Sequence, residues 1–466
     1  MPSFEVPTSV RMGRIAVVAP TWAVRDVLVG LAEAGSVEIV GDVTPASGPA
    51  SESLARLERG GTKATVRRIC CEPPDVAQLE ADGAADLLAG EAELEWRRLM
   101  AVEHGRVAAF VGWTPEAGIP ALTSRLANAG ASVVKLPPSV AEEPPTLLQP
   151  RRVTGSFHPL LNAYGVLPYS NVDPTGFAAV AFVLMFGMMF GDVGHGAIVV
   201  AIGLLLARTV RAKYRSLRPA APLLIACGIS GMAFGFLYGE FFGPTGVVEP
   251  LWLNPLEEPL SLFAAAVIFG AVLLAISYLL GTVNRWRESG PRTALYASSG
   301  LAGALVFVAV AVGVLGVLSG TTTLYLMALV FAAIGLVLLV IGAYSQAGGG
   351  GVGTTLAVVN LFDTSVRIVS SSVSFVRLAA FGMMHAALSL VIWEGTVALT
   401  QQPWGWPFAI ALFVVGTVLA VALEGLVAGI QALRLEYYEM FSRVFATEGR
   451  VFSPFVLELI EDEELV

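Results

Sequence analysis

Apolar residues are spaced differently in the two halves of this chain. Up to about residue 150 they come in short clusters. RIAVVAPTWAVRDVLVGLAEAG predicts a strand at Ile15–Val18 and then an amphipathic helix that stops at Gly35; SVEIVGD predicts a second short strand. Residues 42–65, rich in Ser, Ala, Gly and Thr, read as a flexible connection. DVAQLEADGAADLLAGEAELEWRRLM predicts a helical segment, acidic early and with Arg97 and Arg98 late, the sense that suits the helix dipole. VAAFVGWTPEAGIPALTSRLANAGASVVKL then repeats strand, helix, strand. The expectation is an α+β domain over 1–150, two small units joined by the helical segment. The proline-dense run LPPSVAEEPPTLLQP marks its boundary, and 151–173 read as a linker.

From Pro174 the apolar runs become too long for a soluble fold. Thr175–Ala207 spans 33 residues, about 50 Å as one helix. The polar break GDVGHG at its middle predicts a tight hairpin of two short spans. Further spans are expected at 219–241, 259–284, 296–318, 323–345, 358–398 and 407–444, with the glycine run at 348–351 as a flexible joint. The predicted fold is therefore a membrane all-α domain over 174–445 with eight crossings, beside the α+β domain. The last two spans exceed the roughly 20 residues of an upright helix, which implies tilt or extension beyond the bilayer. Residues 446–466, with the acidic run LELIEDEELV, read as a cytoplasmic tail.

Composition agrees. The chain is 55% hydrophobic and only 14% charged, against about 25% charged for soluble domains. A net charge of −9 argues against nucleic-acid binding. Cys70, Cys71 and Cys227 form no Cys-x-x-Cys pair and the histidines do not cluster with them, so neither a metal site nor a disulfide framework is expected. No phosphate-binding GxxxxGK[ST] loop occurs, and no cofactor is expected. The first residues lack the apolar core of a signal peptide. Arg208, Arg211, Lys213, Arg215 and Arg218 crowd one loop, and Arg285, Arg287 and Arg292 another; the loops between carry no Lys or Arg, and one offers Trp404 and Trp406 as interface anchors. With an even number of spans, both termini are expected on the cytoplasmic side of a cell membrane.

The candidate chemistry is polar residues inside apolar helices. Arg377 lies in SFVRLAAFGMMHAALS, and Arg434 with Glu424 in the last span. A guanidinium cannot discharge by losing a proton, and holding one at mid-membrane costs roughly 2.5–3.5 kcal/mol on insertion scales. Either each arginine snorkels along its aliphatic stem to an interface, or a partner brings negative charge to it. Glu424 lies ten residues before Arg434, about 15 Å along the helix and too far for a direct pair. It is either a carboxyl kept protonated by burial or a proton station in an aqueous half-channel. His385 and Gln431 extend that polar path, although a lone histidine satisfied by a neighbouring carbonyl is the commoner case. Asp192 and His195 in FGDVGHG are expected to cap and turn the first hairpin, and Glu240 in YGEFFG to sit at the interface.

The segments DPTGFAAVAFVLMFGMMFGDVGHG, FGFLYGEFFG, SFVRLAAFGMMHAALS, LEGLVAGIQALRLEYYEMFSRVF and EGRVFSPF, in this order, resemble subunit I of archaeal and bacterial A/V-type rotary ATPases, the counterpart of subunit a in vacuolar ATPases. RIAVVAP and VGWTPE extend the likeness more loosely into the first half. The resemblance implies a membrane stator that does no catalysis itself, with ATP hydrolysis or synthesis on partner subunits. It places Arg377 and Arg434 against the ion-carrying carboxylates of a proteolipid ring, and Glu424, His385 and Gln431 in the half-channels for H⁺ or Na⁺. The implied partners are that ring, peripheral stalks, a central-stalk or ring-cap subunit, the soluble ATPase sector and membrane lipid. One departure stands out: the helical segment allows one passage of roughly 45 Å, where the family carries a long hairpin toward the stalks. A different class, a self-contained secondary transporter with a cytoplasmic regulatory domain, would show inverted repeats with interrupted helices in both halves. Here the polar residues concentrate in the last two spans.

Overall fold

The computed structural model describes residues 10–41, 48–70, 72–137, 143–147, 165, 168–209, 217–346, 350–445 and 449–460. They form two compact units, one drawn from Ser9–Gln149, Val166–Tyr169 and Gly449–Val466, the other chiefly from Ser170–Glu448.

The first unit is built on one sheet. Strand β1 (Met12–Pro20) alternates buried and half-buried residues, so Ile15, Val17 and Ala19 face Val27, Leu28 and Leu31 of α1 (Val24–Ala34) and Leu122 and Leu126 of α5 (Ile119–Ala127). Helix α1 ends, as its sequence predicts, on Gly35 in the left-handed conformation (φ 55°). Strand β5 (Val107–Pro115) runs antiparallel to β1 along its whole length, from Met12 opposite Pro115 to Pro20 opposite Val107. β2 (Glu38–Ile39) and β4 (Val102–His104) also pair with β5, and β6 (Ser132–Lys135) pairs with β1. The two small units expected from the repeated strand–helix–strand order are thus halves of a single five-stranded sheet. The two long strands pair with each other, and the short β2, β4 and β6 add to them.

Three local expectations change. Within 42–65, expected to be flexible, Pro49–Arg59 is a helix, α2; residues 42–47 lie outside the described residues. Proline at its first turn suits the helix start, Glu95 accepts the exposed N–H of Ala50 at 3.0 Å, and Leu54 and Leu57 face Leu88 of α4 (Ala85–Leu99). The expected single helical passage is broken: α3 (Val76–Ala81) ends before Gly83 (φ 71°), and α4 follows. α4 also passes so close to β3 (Arg68–Cys70) that a side chain at Gly90 would strike the Arg68 carbonyl. Lastly, the stretch expected as a free tail is part of this unit. Phe455 and Leu457 are buried in the sheet's core, the Phe455 N–H donates to Val37 O at 2.8 Å, and β7 (Glu458–Ile460) runs parallel to β3. Buried Glu38 fastens the segment by accepting from the Ser453 N–H at 2.9 Å and from Arg450. The acidic end after Ile460, and Cys71, lie outside the described residues.

The second unit is helical. α6 (Thr175–Met189) and α7 (Val193–Arg208) form the predicted short pair. α8 (Ala221–Tyr238), α9 (Pro259–Ser289), α10 (Pro291–Tyr296), α11 (Leu301–Ser319), α12 (Thr322–Gln346), α13 (Gly350–Ser374), α14 (Val376–Thr400) and α15 (Trp406–Leu419) follow. The last helix continues through a π turn (Ala420–Glu424), α16 (Gly425–Leu435), a second π turn (Glu436–Phe441) and the short α17 (Ser442–Val444). Among the described residues, six stretches are long and apolar enough to cross a membrane: Leu217–Tyr238, Pro259–Ser289, Pro291–Ser319, Thr322–Ser345, Gly350–Thr400 and Trp406–Val444. α6 and α7, at 15 and 16 residues, rise only about 22–24 Å, short of a hydrocarbon core of about 30 Å. Of the eight expected spans, six are thus long apolar helices among the described residues, and the first two are the short apolar pair.

Gly350 and Gly351, expected in a flexible joint, open α13 instead; residues 347–349 lie outside the described residues, as do 210–216 of the basic loop. α13 and α14 are nearly one helix, interrupted at Phe375, whose carbonyl takes a tight bond from the Leu378 N–H at 3.0 Å. The unit has a packed interior around Met185, Phe186, Leu262, Leu274, Phe375 and Leu435. Outside, large apolar side chains such as Leu318 and Phe362 are 79% and 72% exposed, the surface expected where the solvent is lipid.

Candidate functional site

The polar residues of the second unit converge because its helices approach very closely. Gly196 of α7 and Gly228 of α8 face each other, and a Cβ on either would lie 2.8 Å from the other's carbonyl oxygen. Small residues allow this backbone contact. It carries the start of α7 to the chain just after α8, and Asp192 ties the two together. The fully buried carboxylate caps α7 by accepting from His195 N–H at 2.9 Å. It also accepts from the N–H groups of Phe242 at 3.1 Å and Gly243 at 2.7 Å. The Val193 N–H donates to the Glu240 carbonyl at 3.0 Å. Asp192 and His195 do occupy the turn where the sequence places them, but the turn forms the floor of a larger site.

That site is a chain of side chains from four separate segments. His195 Nδ1 lies 3.4 Å from His385 Nε2, and His385 Nδ1 bonds the Glu424 carboxylate. Phe190 packs on His385 with ring centroids 5.0 Å apart, and Phe242 meets His195 edge-on at 5.4 Å. Glu240 is buried, not interfacial as its position at the end of a span suggested: it is 3% exposed and one carboxylate oxygen has no partner. Glu424 likewise keeps one buried oxygen without a bond, as does Gln431. Proximity in sequence could not reveal this set, since 190 residues separate the two histidines. The one available signal was that FGDVGHG and YGEFFG keep charged residues inside apolar runs.

Two neutral imidazoles end to end between carboxyl groups can relay a proton. Suppose His195 Nδ1–H donates to His385 Nε2 and His385 Nδ1–H donates to an ionised Glu424. Transfer along both bonds carries one proton from His195 through His385 to Glu424 with almost no movement of heavy atoms, His195 taking a replacement proton at Nε2, and the same steps run backward return a proton from Glu424 towards His195. Asp192, His195 and His385 also present ligand atoms within 4.8 Å of one another, an arrangement that could hold a metal ion although the cysteine and histidine spacing predicts none. The bonds already made by Asp192 to three backbone N–H groups and by His385 to Glu424 complete it as a hydrogen-bonded network.

The arginines stand apart from this network. Among the described residues no hydrogen bond or ion pair reaches Arg377, which is half-buried, or Arg434, which is exposed. The charged groups close enough to act on Arg377 are Arg434 and Glu439. The His385–Glu424 bond explains why the two arginines approach. Arg377 precedes His385 by eight residues on α14, and Arg434 follows Glu424 by ten on the last helix, rises of about 12 and 15 Å. α14 and α15 are joined by a tight connection at 401–405 and pack against each other, so they run in opposite directions and both rises point the same way. One bond therefore brings two guanidiniums level. The two π turns that bracket α16 re-aim its side chains relative to an unbroken α-helix.

Sequence reading missed Arg443. It is 4% exposed and donates to the Tyr278 hydroxyl at 2.7 Å and to Ser371 Oγ at 2.6 Å, with no carboxylate among its partners.

Comparison with known proteins agrees with these motifs. The chain is 25% identical over 362 residues to an A-type ATP synthase subunit I of Pyrococcus horikoshii, covering 74% of this chain and 53% of that protein. It is 40% identical over 112 residues to a V-type ATP synthase subunit I 2 of Treponema pallidum, 24% of each chain. It is 28% identical over 226 residues to a vacuolar proton translocating ATPase 100 kDa subunit of Dictyostelium discoideum, 39% of this chain and 28% of that one. The chain thus spans about half the length of the archaeal relatives it matches. The V-type ATPase 116kDa subunit family matches residues 99–246 and 363–457, which take in Asp192, His195, Glu240, Arg377, His385, Glu424, Gln431 and Arg434, and the chain belongs to that family.

Proposed function

We propose that this chain is the membrane stator of a rotary ATPase or ATP synthase and forms the ion half-channels against a ring of proteolipid subunits. The observation that carries this reading is the pair Arg377 and Arg434: two permanent cations close to each other in apolar helices, neither of which makes an ion pair or hydrogen bond among the described residues. A buried or lipid-facing arginine without an anion is costly, and a passing ring carboxylate supplies one. Within a few ångströms an arginine favours the ionised carboxylate and lowers its pKa by about 1–3 units. A neutral ring carboxyl arriving there releases its proton or Na⁺ into one half-channel and reloads from the other. The fixed cations also repel a proton that would leak between the two channels.

His195, His385 and Glu424 form the polar path of one half-channel, with Glu240 and Gln431 beside it. Asp192 holds that path's floor as the turn residue. ATP chemistry belongs to other subunits, so this chain is not an enzyme in itself. Its partners are the proteolipid ring, peripheral stalks, a central-stalk or ring-cap subunit and the soluble ATPase sector. The α+β unit faces the cytoplasm, and α6 and α7 complete an eight-segment membrane domain as two short crossings. In the assembled complex reconstituted in vesicles, Arg434→Ala abolishes ATP-driven ion uptake while the subunits still purify together. Retained uptake would contradict the role, and solute transport by the isolated chain would replace it with a self-contained transporter.

A further inference from the structure

A second buried cation sits away from the arginine pair, and its surroundings form a site. The Arg443 side chain closes one wall of a cavity of about 260 Å³. The cavity lies where α9, the connection between α10 and α11, α13 and α17 meet. Its polar lining includes Tyr278, Ser298, Ser299, Thr364, Arg367 and Arg443. Hydroxyl and guanidinium donors dominate, and among the described residues no carboxylate lines it. Room for a tetrahedral oxyanion is ample, given about 30 Å³ per water-sized group.

The charges around it do not cancel. Arg367 pairs with Asp363 at 2.6 Å on the exposed side. Arg285 pairs with Glu288 and reaches the cavity only through Ser299 Oγ at 3.2 Å. Arg443 alone has only neutral partners: the Tyr278 hydroxyl, Ser371 Oγ and, 4.8 Å from its guanidinium carbon, the face of the Tyr278 ring. Its Nε is buried and unbonded, and the residue is 96% withdrawn from solvent, as its 4% exposure shows. An arginine cannot neutralise itself, and a buried ion left without a counter-ion is strongly unfavourable.

We propose that this cavity binds a phosphate group, carried by an anionic lipid headgroup or as the free ion, with Arg443 as its charge partner and Arg367, Thr364 and Ser299 as further donors. Guanidinium–phosphate hydrogen bonds are among the strong charge-assisted ones, and basic pockets between membrane helices suit such headgroups. The exposed apolar side chains of Phe362, Val366 and Val369 on α13, beside Arg367, offer a surface for acyl chains if the phosphate belongs to a lipid. The inference does not depend on the proposed stator role.

The test uses the full chain, in whatever complex it purifies with, stripped of lipid by detergent exchange. Calorimetry and unfolding midpoints are recorded with inorganic phosphate at matched ionic strength, with a short-chain phosphatidylglycerol, and with a phosphate-free glycolipid. Both phosphate probes, or one of them, bind and raise the midpoint, while the glycolipid does not. Tighter binding of phosphatidylglycerol assigns the group to a lipid, and equal or stronger binding of inorganic phosphate assigns it to the free ion. Arg443→Met weakens binding by at least about tenfold. Should that variant fail to fold, Arg367→Gln and Thr364→Val, which remove lining donors at less buried positions, weaken it by a smaller factor. Failure of both phosphate probes to exceed the glycolipid, or variants that bind like the parent chain, overturns the proposal.

Discussion

The α+β unit and the membrane unit handle arginine in opposite ways. In the first, Arg25 meets Glu91, Arg56 meets Glu80, Arg97 and Arg67 share Glu93, and Arg450 meets Glu38. Water reaches the arginine of every one of these pairs, and an exposed pair such as Arg56–Glu80 adds little. In the membrane unit, among the described residues, Arg377 and Arg434 make no hydrogen bond or ion pair, and Arg443 meets only hydroxyls and a ring. Lipid cannot solvate a guanidinium, and this is why the proposed function gives an unpaired one there a counter-charge on another molecule. The same side chain is a surface ornament in one solvent and an address for a partner in the other.

That contrast can be broken by mutation. The largest expected effect is Arg434→Ala or Arg377→Ala, which take ATP-driven ion uptake in vesicles to background with assembly intact. Arg56→Ala in the other unit leaves both uptake and the unfolding midpoint within error. Next come the relay residues: Glu424→Gln slows uptake several-fold or more, and His385→Ala does the same because it cuts the path at its centre. An unchanged rate in either variant would remove that residue from the path.

A smaller effect sharpens the comparison from the other side. Glu38→Ala removes the buried carboxylate that accepts from the Ser453 N–H and from Arg450, so the α+β unit loses about 1–3 kcal/mol. Hydrogen exchange at 451–459 should accelerate before the rest of the sheet, and uniform exchange would refute the fastening role. Smallest is a pH effect on exposed carboxylates of this unit. Bonding to Arg56 holds Glu80 down at about 2, and the backbone N–H groups of Thr65 and Val66 hold Asp86 below its ordinary range. Both are more acidic folded than unfolded, so their contribution is present above the ordinary carboxylate range of about 4 and is lost as pH falls towards 2. Asp86→Asn should flatten that acid slope, measured by the unfolding midpoint between pH 5 and 2.

How much was legible in advance follows from what kind of signal each feature leaves. β1, α1, β5 and α5 were readable because their apolar periodicity is local. The α2 helix was not, because its Ser and Ala content resembles a linker and its anchor, Glu95, lies 45 residues away. The tail's return to the sheet was hidden for the same reason: Phe455 and Leu457 are ordinary apolar residues until Val37 and β3 are beside them. Arg377, Arg434, His385 and Glu424 could be singled out individually, since charge in an apolar helix is conspicuous wherever it falls. Their bonding could not; Glu240 was read as interfacial and Arg443 was passed over, because each lies near the end of a span, where charge is unremarkable.

The sequence alone determined the solvent of each half, the approximate positions of the helices and the presence of permanent positive charge inside two of them. Those properties depend on residue type and on periods of two or 3.6 residues, which short windows contain. Only the tertiary structure decided that two histidines 190 residues apart share a bond, that one contact levels Arg377 with Arg434, and that Arg443 faces a cavity without an anion. Such facts depend on distances between segments, and a distance between segments is set by the packing of glycines, rings and helix faces that no single stretch of chain contains.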